Sequence, residues 1–140
     1  MVLVVEDDQA NAVLIETLLT RFGGFDVTAT DNGDEVMRII REDDVTAVVM
    51  DVSLGNTRVS GEAIDGVELT RRIRATERGA HLPVILLTAH AMRGDREHLL
   101  FSSGAIDYVA KPITDQRGFV DLVARHISSS GGLGVDPKVD

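Results

Sequence analysis

The sequence predicts an α/β protein of the doubly wound class, in which helices cover both faces of one parallel five-stranded sheet. Strand-like and helix-like segments alternate five times along the 140 residues, and this alternation is typical of parallel sheets. The first, third and fourth strand-like segments are almost continuously apolar, as expected of strands that are buried on both faces. Five such units fit the strand order 2-1-3-4-5, which makes the first and third strands neighbours at the point where ligands bind.

Each strand is predicted from a short apolar run. The runs lie at about residues 2–5, 25–29, 46–50, 84–87 and 106–110. Pro83 stands directly before the fourth run, where a missing backbone N–H does little harm. Right-handed crossovers would connect the parallel strands.

The helices are predicted from apolar residues at helical spacing and from residues that stop a helix. They are expected at about residues 9–22, 32–40, 66–77, 93–102 and 114 or 115 to 127. Gly23 and Gly24 end the first helix and Gly104 ends the fourth, because glycine accepts the left-handed backbone of a helix stop.

Two segments lack a periodic pattern. Residues 52–65, rich in Gly, Ser, Asn and Thr, are expected to be irregular. Residues 128–140 are rich in Ser and Gly and have no apolar face, so we predict a flexible tail. The chain is therefore expected to be one domain over residues 1–127, followed by that tail.

Composition and charge exclude several classes of function. The net charge of −9 argues against binding to nucleic acid, which requires a basic face, and against binding to an anionic membrane. The absence of cysteine excludes a disulfide framework and a thiolate site, and it fits a reducing cytosol. No apolar stretch is long enough to span a bilayer, and the first strand leaves no room for a signal peptide. We therefore expect a cytoplasmic protein.

Polar side chains stand where four of the predicted strands end. The segment Glu6-Asp7-Asp8 follows the first strand, Asp51 the third, Thr88 the fourth and Lys111-Pro112 the fifth. These strand ends meet at one edge of a parallel sheet. Clustered carboxylate oxygens suit Mg²⁺ or Mn²⁺ and a phosphate-bearing partner. Taken singly, Asp7 or Asp8 has the simpler role of capping a helix, and Asp51 of beginning a turn; the combination favours a site.

Asp51 is the candidate for a covalent role, because an aspartate carboxylate can accept a phosphoryl group and form an acyl phosphate. Phosphoryl transfer requires positioning and neutralisation of charge. A divalent cation, the Lys111 ammonium and the Thr88 hydroxyl would meet both needs. A cis bond before Pro112 would aim Lys111 inward.

The ordered motifs VLVVEDD, AVVMD, VILLTAHAM and YVAKPI resemble the receiver domain of two-component response regulators over about residues 2–127. The stretch from 88 to 95 is most similar to single-domain receivers and to those of hybrid kinases. The resemblance implies a flavodoxin-like fold that accepts a phosphoryl group from a sensor histidine kinase or a histidine phosphotransfer protein. It also implies slow hydrolysis of the protein's own aspartyl phosphate, and no enzymatic activity on external substrates.

The resemblance also implies a role for each matching residue. Asp51 would be the phosphoacceptor. Asp7, Asp51 and the Ser53 carbonyl would ligate Mg²⁺, and Glu6 would act through a water. Lys111 would contact the phosphoryl group, and Thr88 and Tyr108 would form the switch. The face of the fourth helix, fifth strand and fifth helix would then bind a downstream protein partner. His90, two residues after Thr88, is predicted to tune hydrolysis of the acyl phosphate.

The loop after Asp51 departs from the family pattern. Gly55 stands where the family usually has proline, and the loop is longer than usual; loops beyond about 12 residues are usually functional or disordered. We therefore expect residues 55–64 to shape partner docking or access to the acyl phosphate, the alternative being a neutral surface insertion.

Three other classes of protein share part of this pattern. A phosphatase with an aspartyl nucleophile typically has a second aspartate where this chain has Ser53. A flavodoxin-like cofactor carrier would require a Gly- or Ser/Thr-rich loop after the first strand, and this loop is acidic. A receiver-like module that binds partners without phosphorylation stays open because of the loop departures.

Overall fold

The computed structural model describes residues 1–89 and 95–135 and places a five-stranded parallel sheet between two layers of helices. The sheet strands are β1 (Val2–Val5), β2 (Val27–Thr30), β3 (Ala47–Asp51), β6 (Val84–Thr88) and β7 (Asp107–Ala110), and a separate hairpin consists of β4 (Arg58–Val59) and β5 (Glu62–Ala63). The helices are α1 (Gln9–Gly23), α2 (Gly33–Glu42), α3 (Gly66–Arg74), α4 (Asp95–Ser103) and α5 (Gln116–Val135).

The order of strands in the sheet is β2-β1-β3-β6-β7, and every neighbouring pair is parallel. The predicted doubly wound fold and its strand order are therefore confirmed. Strands β1 and β3 are neighbours, so the loops that follow them leave the same edge of the sheet.

The core has two halves because successive residues of a strand point to opposite faces of the sheet. One half contains Leu3, Val48 and Leu86 and packs against α2 and α3. The other contains Val4 and Val49, among others, and packs against α1 and α5. The near-continuous apolar runs of β1, β3 and β6 thus supply both halves of the core.

The second strand begins two residues later than predicted. Gly24 has a left-handed backbone with φ 67°, and its N–H donates to the Thr20 carbonyl. The Phe25 N–H donates to the Leu19 carbonyl. Phe25 therefore closes the end of α1, and the strand starts at Val27.

The expectation that residues 52–65 are irregular is wrong in part, since β4 and β5 form an antiparallel hairpin there. Ser60 and Gly61 both have positive φ, 51° and 82°, which is the geometry of a tight two-residue turn. Each strand has only two residues, too few to produce an alternating pattern in the sequence.

Two helix ends differ from the prediction. Helix α3 ends at Arg74 rather than near residue 77, because the Thr76 hydroxyl donates to the Ile73 carbonyl and accepts the Gly79 N–H, bonds that compete with a further helical turn. Helix α5 continues to Val135, beyond the predicted end at residue 127. The flexibility predicted for residues 128–140 stays a prediction.

The predicted start of the fourth helix, residues 93 and 94, lies outside the described residues, as do residues 136–140. Within the ranges 1–89 and 95–135, no helix has the length and apolar character that crossing a membrane requires.

Candidate functional site at the carboxyl edge of the sheet

The carboxyl ends of the strands place several chemically active side chains at one edge of the sheet. Glu6 and Asp7 follow β1, Asp51 is the last residue of β3, and Thr88 is the last residue of β6. Lys111 directly follows β7. The parallel register sets these strand ends side by side, as the sequence predicted.

Three carboxylates converge at the centre of this edge. One oxygen from each of Glu6, Asp7 and Asp51 lies within 4.8 Å of the others. Glu6 and Asp51 are buried, with 4% and 2% of their surface exposed, and Asp7 is half-buried. Carboxylates at such separations repel one another by roughly 4 kcal/mol per pair at an effective dielectric near 20, so the cluster requires a compensating positive charge.

Lys111 supplies part of that charge. Its Nζ lies 3.1 Å from Asp51 Oδ1 and 3.5 Å from Glu6 Oε1. Burial by itself lowers the pKa of Lys111, but the hydrogen bond and charge of Asp51, together with the charge of Glu6, outweigh it and raise the pKa. Lys111 is therefore an ammonium at neutral pH. The peptide bond between Lys111 and Pro112 is cis.

Lys111 compensates only part of the cost of burying the Glu6 carboxylate. Burial is the main cause that raises the pKa of Glu6 from 4.5 to about 7, and a hydrogen bond with Asp51 adds to the effect. Its Oε1 atom is buried, and Lys111 Nζ, 3.5 Å away, forms an ion pair with it but no hydrogen bond. A buried acceptor without a hydrogen bond is one of the features that mark a site for a water or an ion.

The chemistry of the donor set fits a divalent cation. Three carboxylates and one ammonium leave a formal excess of two negative charges, which Mg²⁺ would balance. Mg²⁺ favours oxygen ligands and retains several waters, and the half-exposed side of the cluster at Asp7 leaves room for solvent. The residues present thus fit the magnesium site that the sequence predicts.

The simpler roles considered for the acidic residues, capping a helix and beginning a turn, are both found in the structure. Asp8, not Asp7, caps α1, since its side chain accepts the Asn11 N–H at 3.0 Å. Asp51 does begin a turn, because its Oδ1 accepts the Ser53 N–H at 3.1 Å, and it belongs to the cluster as well.

A contact not predicted from the sequence joins the loop after β3 to the cluster. The Gly55 N–H donates to Asp7 Oδ2 at 2.6 Å. The signal in the sequence was the departure from proline at this position, since a proline has no N–H to donate.

Thr88 and Tyr108 lie at different distances from the edge. Thr88 is buried, and its carbonyl accepts the Lys111 N–H at 2.8 Å. Tyr108 pairs with Leu86, two residues before the end of β6, and is half-buried. The structure therefore brings Thr88 to the site and keeps Tyr108 on the sheet behind it, while His90 lies outside the described residues.

A second group of polar side chains, also not predicted, lies next to Tyr108. The Asp107 carboxylate accepts a hydrogen bond from Arg96 Nη2 at 3.2 Å and contacts His126 Nε2 at 3.0 Å. It therefore links α4, β7 and α5. Burial raises the pKa of Asp107, but the hydrogen bonds from His126 and the Tyr108 N–H and the charge of Arg96 outweigh it and hold that pKa below its usual value. The Arg96 guanidinium lies 5.7 Å from the centre of the Tyr108 ring. No spacing in the sequence indicates this cluster.

Comparison with known proteins gives a consistent result. A family profile described as "Response regulator receiver domain" matches residues 2–123. The chain is 41% identical over 114 residues to hybrid signal transduction histidine kinase I of Dictyostelium discoideum. This match covers 80% of the chain but only 6% of that kinase. It is 30% identical over 129 residues to the polar-differentiation response regulator DivK of Brucella anthropi, covering 92% of the chain and 97% of DivK.

Solved structures resemble it in the same way. The receiver domain of sensor histidine kinase PA1611 from Pseudomonas aeruginosa PAO1 is 35% identical, with a TM-score of 0.76, and the match covers 91% of the chain and 96% of that domain. That crystal structure has a magnesium ion coordinated in its active-site cleft.

Proposed function

The chain belongs to the response regulator receiver domain family of two-component signalling, and on this premise we propose that its Asp51 carboxylate accepts a phosphoryl group in a magnesium-dependent step. The observation that carries the proposal is the convergence of Glu6, Asp7 and Asp51 within 4.8 Å, with Lys111 Nζ 3.1 Å from Asp51. A reactive carboxylate, a cation site and a fixed ammonium are the parts that phosphoryl transfer to aspartate requires.

We assign the cation to Glu6, Asp7, Asp51 and the backbone carbonyl of Ser53. Asp7 and Asp51 would bind it directly, and Glu6 through a water. When bound, Mg²⁺ neutralises charge on the phosphoryl oxygens during transfer. The magnesium ion in the PA1611 receiver domain supports this assignment, and Mn²⁺ has the same ligand preference.

The transfer step forms one bond and breaks one. An Asp51 carboxylate oxygen attacks the phosphorus of a phosphohistidine, the O–P bond forms, and the N–P bond breaks. The histidine nitrogen keeps the electron pair of that bond and takes up a proton from solvent. Lys111 stabilises the charge on the transferred group, and the Thr88 hydroxyl donates a hydrogen bond to it.

The donor we propose is a sensor histidine kinase or a histidine phosphotransfer protein. The chain matches the receiver portions of hybrid and sensor histidine kinases, but it spans only 6% and 12% of the length of those proteins. The match therefore concerns the receiver portion of those kinases and not the activities of the whole proteins. A cytoplasmic location, where such donors act, stays a prediction.

Phosphorylation would act as a switch. The added charge at Asp51 attracts Thr88 and Lys111, and the vacated space behind Thr88 admits Tyr108, which lies on the next strand. The face formed by α4, β7 and α5 would then bind a downstream protein partner. This is a local electrostatic change that biases an element with two states.

Turnover of external substrates does not fit the site. A phosphatase of this chemistry needs an acid/base carboxylate near the nucleophile. Ser53 stands at that position, and its N–H donates a hydrogen bond to Asp51. We therefore propose that the aspartyl phosphate is hydrolysed slowly in place and that the protein is not an enzyme on other substrates.

Intact-mass measurement with Mg²⁺ and a small phosphodonor tests the proposal. The expected result is the gain of one phosphoryl group by the wild-type chain and no gain by Asp51→Asn. Asp8→Asn is the matched control, because Asp8 stands at the same edge but caps α1; it should be phosphorylated like the wild type. The proposal would be wrong if no Mg²⁺ concentration gave a mass gain, or if Asp51→Asn gained the same mass.

A further inference from the structure

We propose that the backbone N–H of Gly55 is a positioning group for Asp7, one that fixes this carboxylate in the orientation that binds the cation. The inference rests on the proposed function, since it concerns the proposed metal ligand. It gives the departure at position 55 a chemical meaning, because the role needs an N–H, which proline lacks.

The contact has the geometry of a strong hydrogen bond. The distance from Gly55 N to Asp7 Oδ2 is 2.6 Å, at the short end of the range for N–H···O bonds. An ionised acceptor makes such bonds shorter and stronger than neutral pairs. The two residues are 48 positions apart in sequence, so the bond ties the loop after β3 to the loop after β1.

The donor is itself held in place by packing on both sides. Leu54 and Thr57 are buried, with 8% and 1% of their surface exposed, whereas Gly55 between them is exposed. The Ile64 N–H donates to the Thr57 carbonyl at 3.1 Å, and Val59 reaches the core. The loop therefore presents the Gly55 N–H from a rigid support.

The hairpin of β4 and β5 fixes that support to two helices. The Ser60 N–H donates to Asp34 Oδ1 at the start of α2, at 2.9 Å. Glu62 pairs with Arg72 of α3 at 2.7 Å. Although most of its residues are exposed, the long insertion thus contacts both helices and supports the loop that carries Gly55.

A fixed donor lowers the cost of binding a cation. With Oδ2 held by Gly55, the Asp7 carboxylate already lies in the cluster with Glu6 and Asp51, so less rotational freedom is lost when the ligand binds. Removing a group that orients a metal ligand typically weakens metal affinity about 10- to 100-fold.

The test compares G55P, which deletes the N–H, with G55A, which keeps it. A Cβ at position 55 would lie 3.4 Å from Asp7 Oδ2, an ordinary contact, so alanine fits. Calorimetric titration with Mg²⁺ should show G55A within about twofold of the wild type and G55P at least about 10-fold weaker. Equal affinities of G55P and G55A would overturn the inference.

Two further observations separate this inference from the proposed function and from a folding defect. Urea unfolding checks that G55P and G55A are equally stable. If G55P does not fold, amide hydrogen exchange of the metal-free wild-type protein decides instead: the Gly55 amide should be protected, and Asp7→Ala should remove the protection. The inference would be overturned if the Gly55 amide exchanged as fast as the amides of an exposed loop. Absence of Mg²⁺ binding to the wild-type protein would instead overturn the proposed metal site.

Discussion

Burial makes the protonation of Glu6 a determinant of stability near neutral pH. Its folded-state pKa is raised to about 7 from 4.5, chiefly by burial, so the folded protein holds a proton that the unfolded chain releases. Below pH 4.5 both states are protonated and the stability is fully present. Between pH 4.5 and 7 the unfolded state binds fewer protons, so the free energy of unfolding falls as pH rises.

We therefore predict that metal-free Glu6→Gln is more stable relative to wild type at pH 8 than at pH 4.5. The difference between the two proteins should change by up to about 3 kcal/mol across this range, the equivalent of the pKa shift at 1.36 kcal/mol per unit. Urea unfolding in the presence of a chelator at several pH values measures it.

Glutamine is the matched substitution because it keeps the shape of Glu6 and removes the charge. Saturating Mg²⁺ serves as the control, since a bound cation favours the ionised carboxylate and should diminish the advantage of glutamine. A difference between the two proteins that stays constant from pH 4.5 to 8 without metal would contradict the prediction.

At the scale of elements, the hairpin of β4 and β5 acts as a brace between α2 and the loop after β3. Gly33, the first residue of α2, is buried under it. An added Cβ at Gly33 would clash with the Arg58 carbonyl oxygen and the Val59 side chain. Close approach of the hairpin backbone therefore requires glycine at this position.

We predict that Gly33→Ala destabilises the protein by about 1–3 kcal/mol, the usual cost of overpacking. The sign makes the test sharp, because alanine for glycine in a helix without the hairpin contact would stabilise by up to about 1 kcal/mol. Chemical denaturation of the two proteins measures the difference.

The control is the same substitution in a chain without residues 56–62. If the hairpin causes the cost, Gly33→Ala should become neutral or stabilising there, a coupling that a double-mutant cycle detects. Equal destabilisation with and without the hairpin would assign the cost to α2 itself.

At the scale of the whole molecule, the sequence predicts the features that depend on repeated patterns. The sheet order follows from alternation, and the positions of Asp51, Thr88 and Lys111 follow from where apolar runs end. The departure from proline marked position 55, but the partner of the Gly55 N–H was not predicted, because Asp7 is 48 positions away and meets it only in the folded chain. The hairpin was missed because two-residue strands have no period, and Asp107 was missed because its partners Arg96 and His126 meet only through tertiary packing.

The site joins the ends of four strands, β1, β3, β6 and β7, so its charge balance affects the stability of the entire fold. A ligand that binds only the folded state stabilises it by about 2.7 kcal/mol at 100 times its dissociation constant. We therefore predict that Mg²⁺ at that excess raises the thermal unfolding midpoint of the wild-type protein by several degrees. The cause is that the cation offsets the negative charge of the three carboxylates that Lys111 leaves unbalanced. Differential scanning calorimetry measures the shift; Asp51→Asn should reduce it, and Asp8→Asn, at the cap of α1, should retain it. A shift of equal size in all three proteins would show that Mg²⁺ stabilises through the general −9 charge of the chain and not through this site.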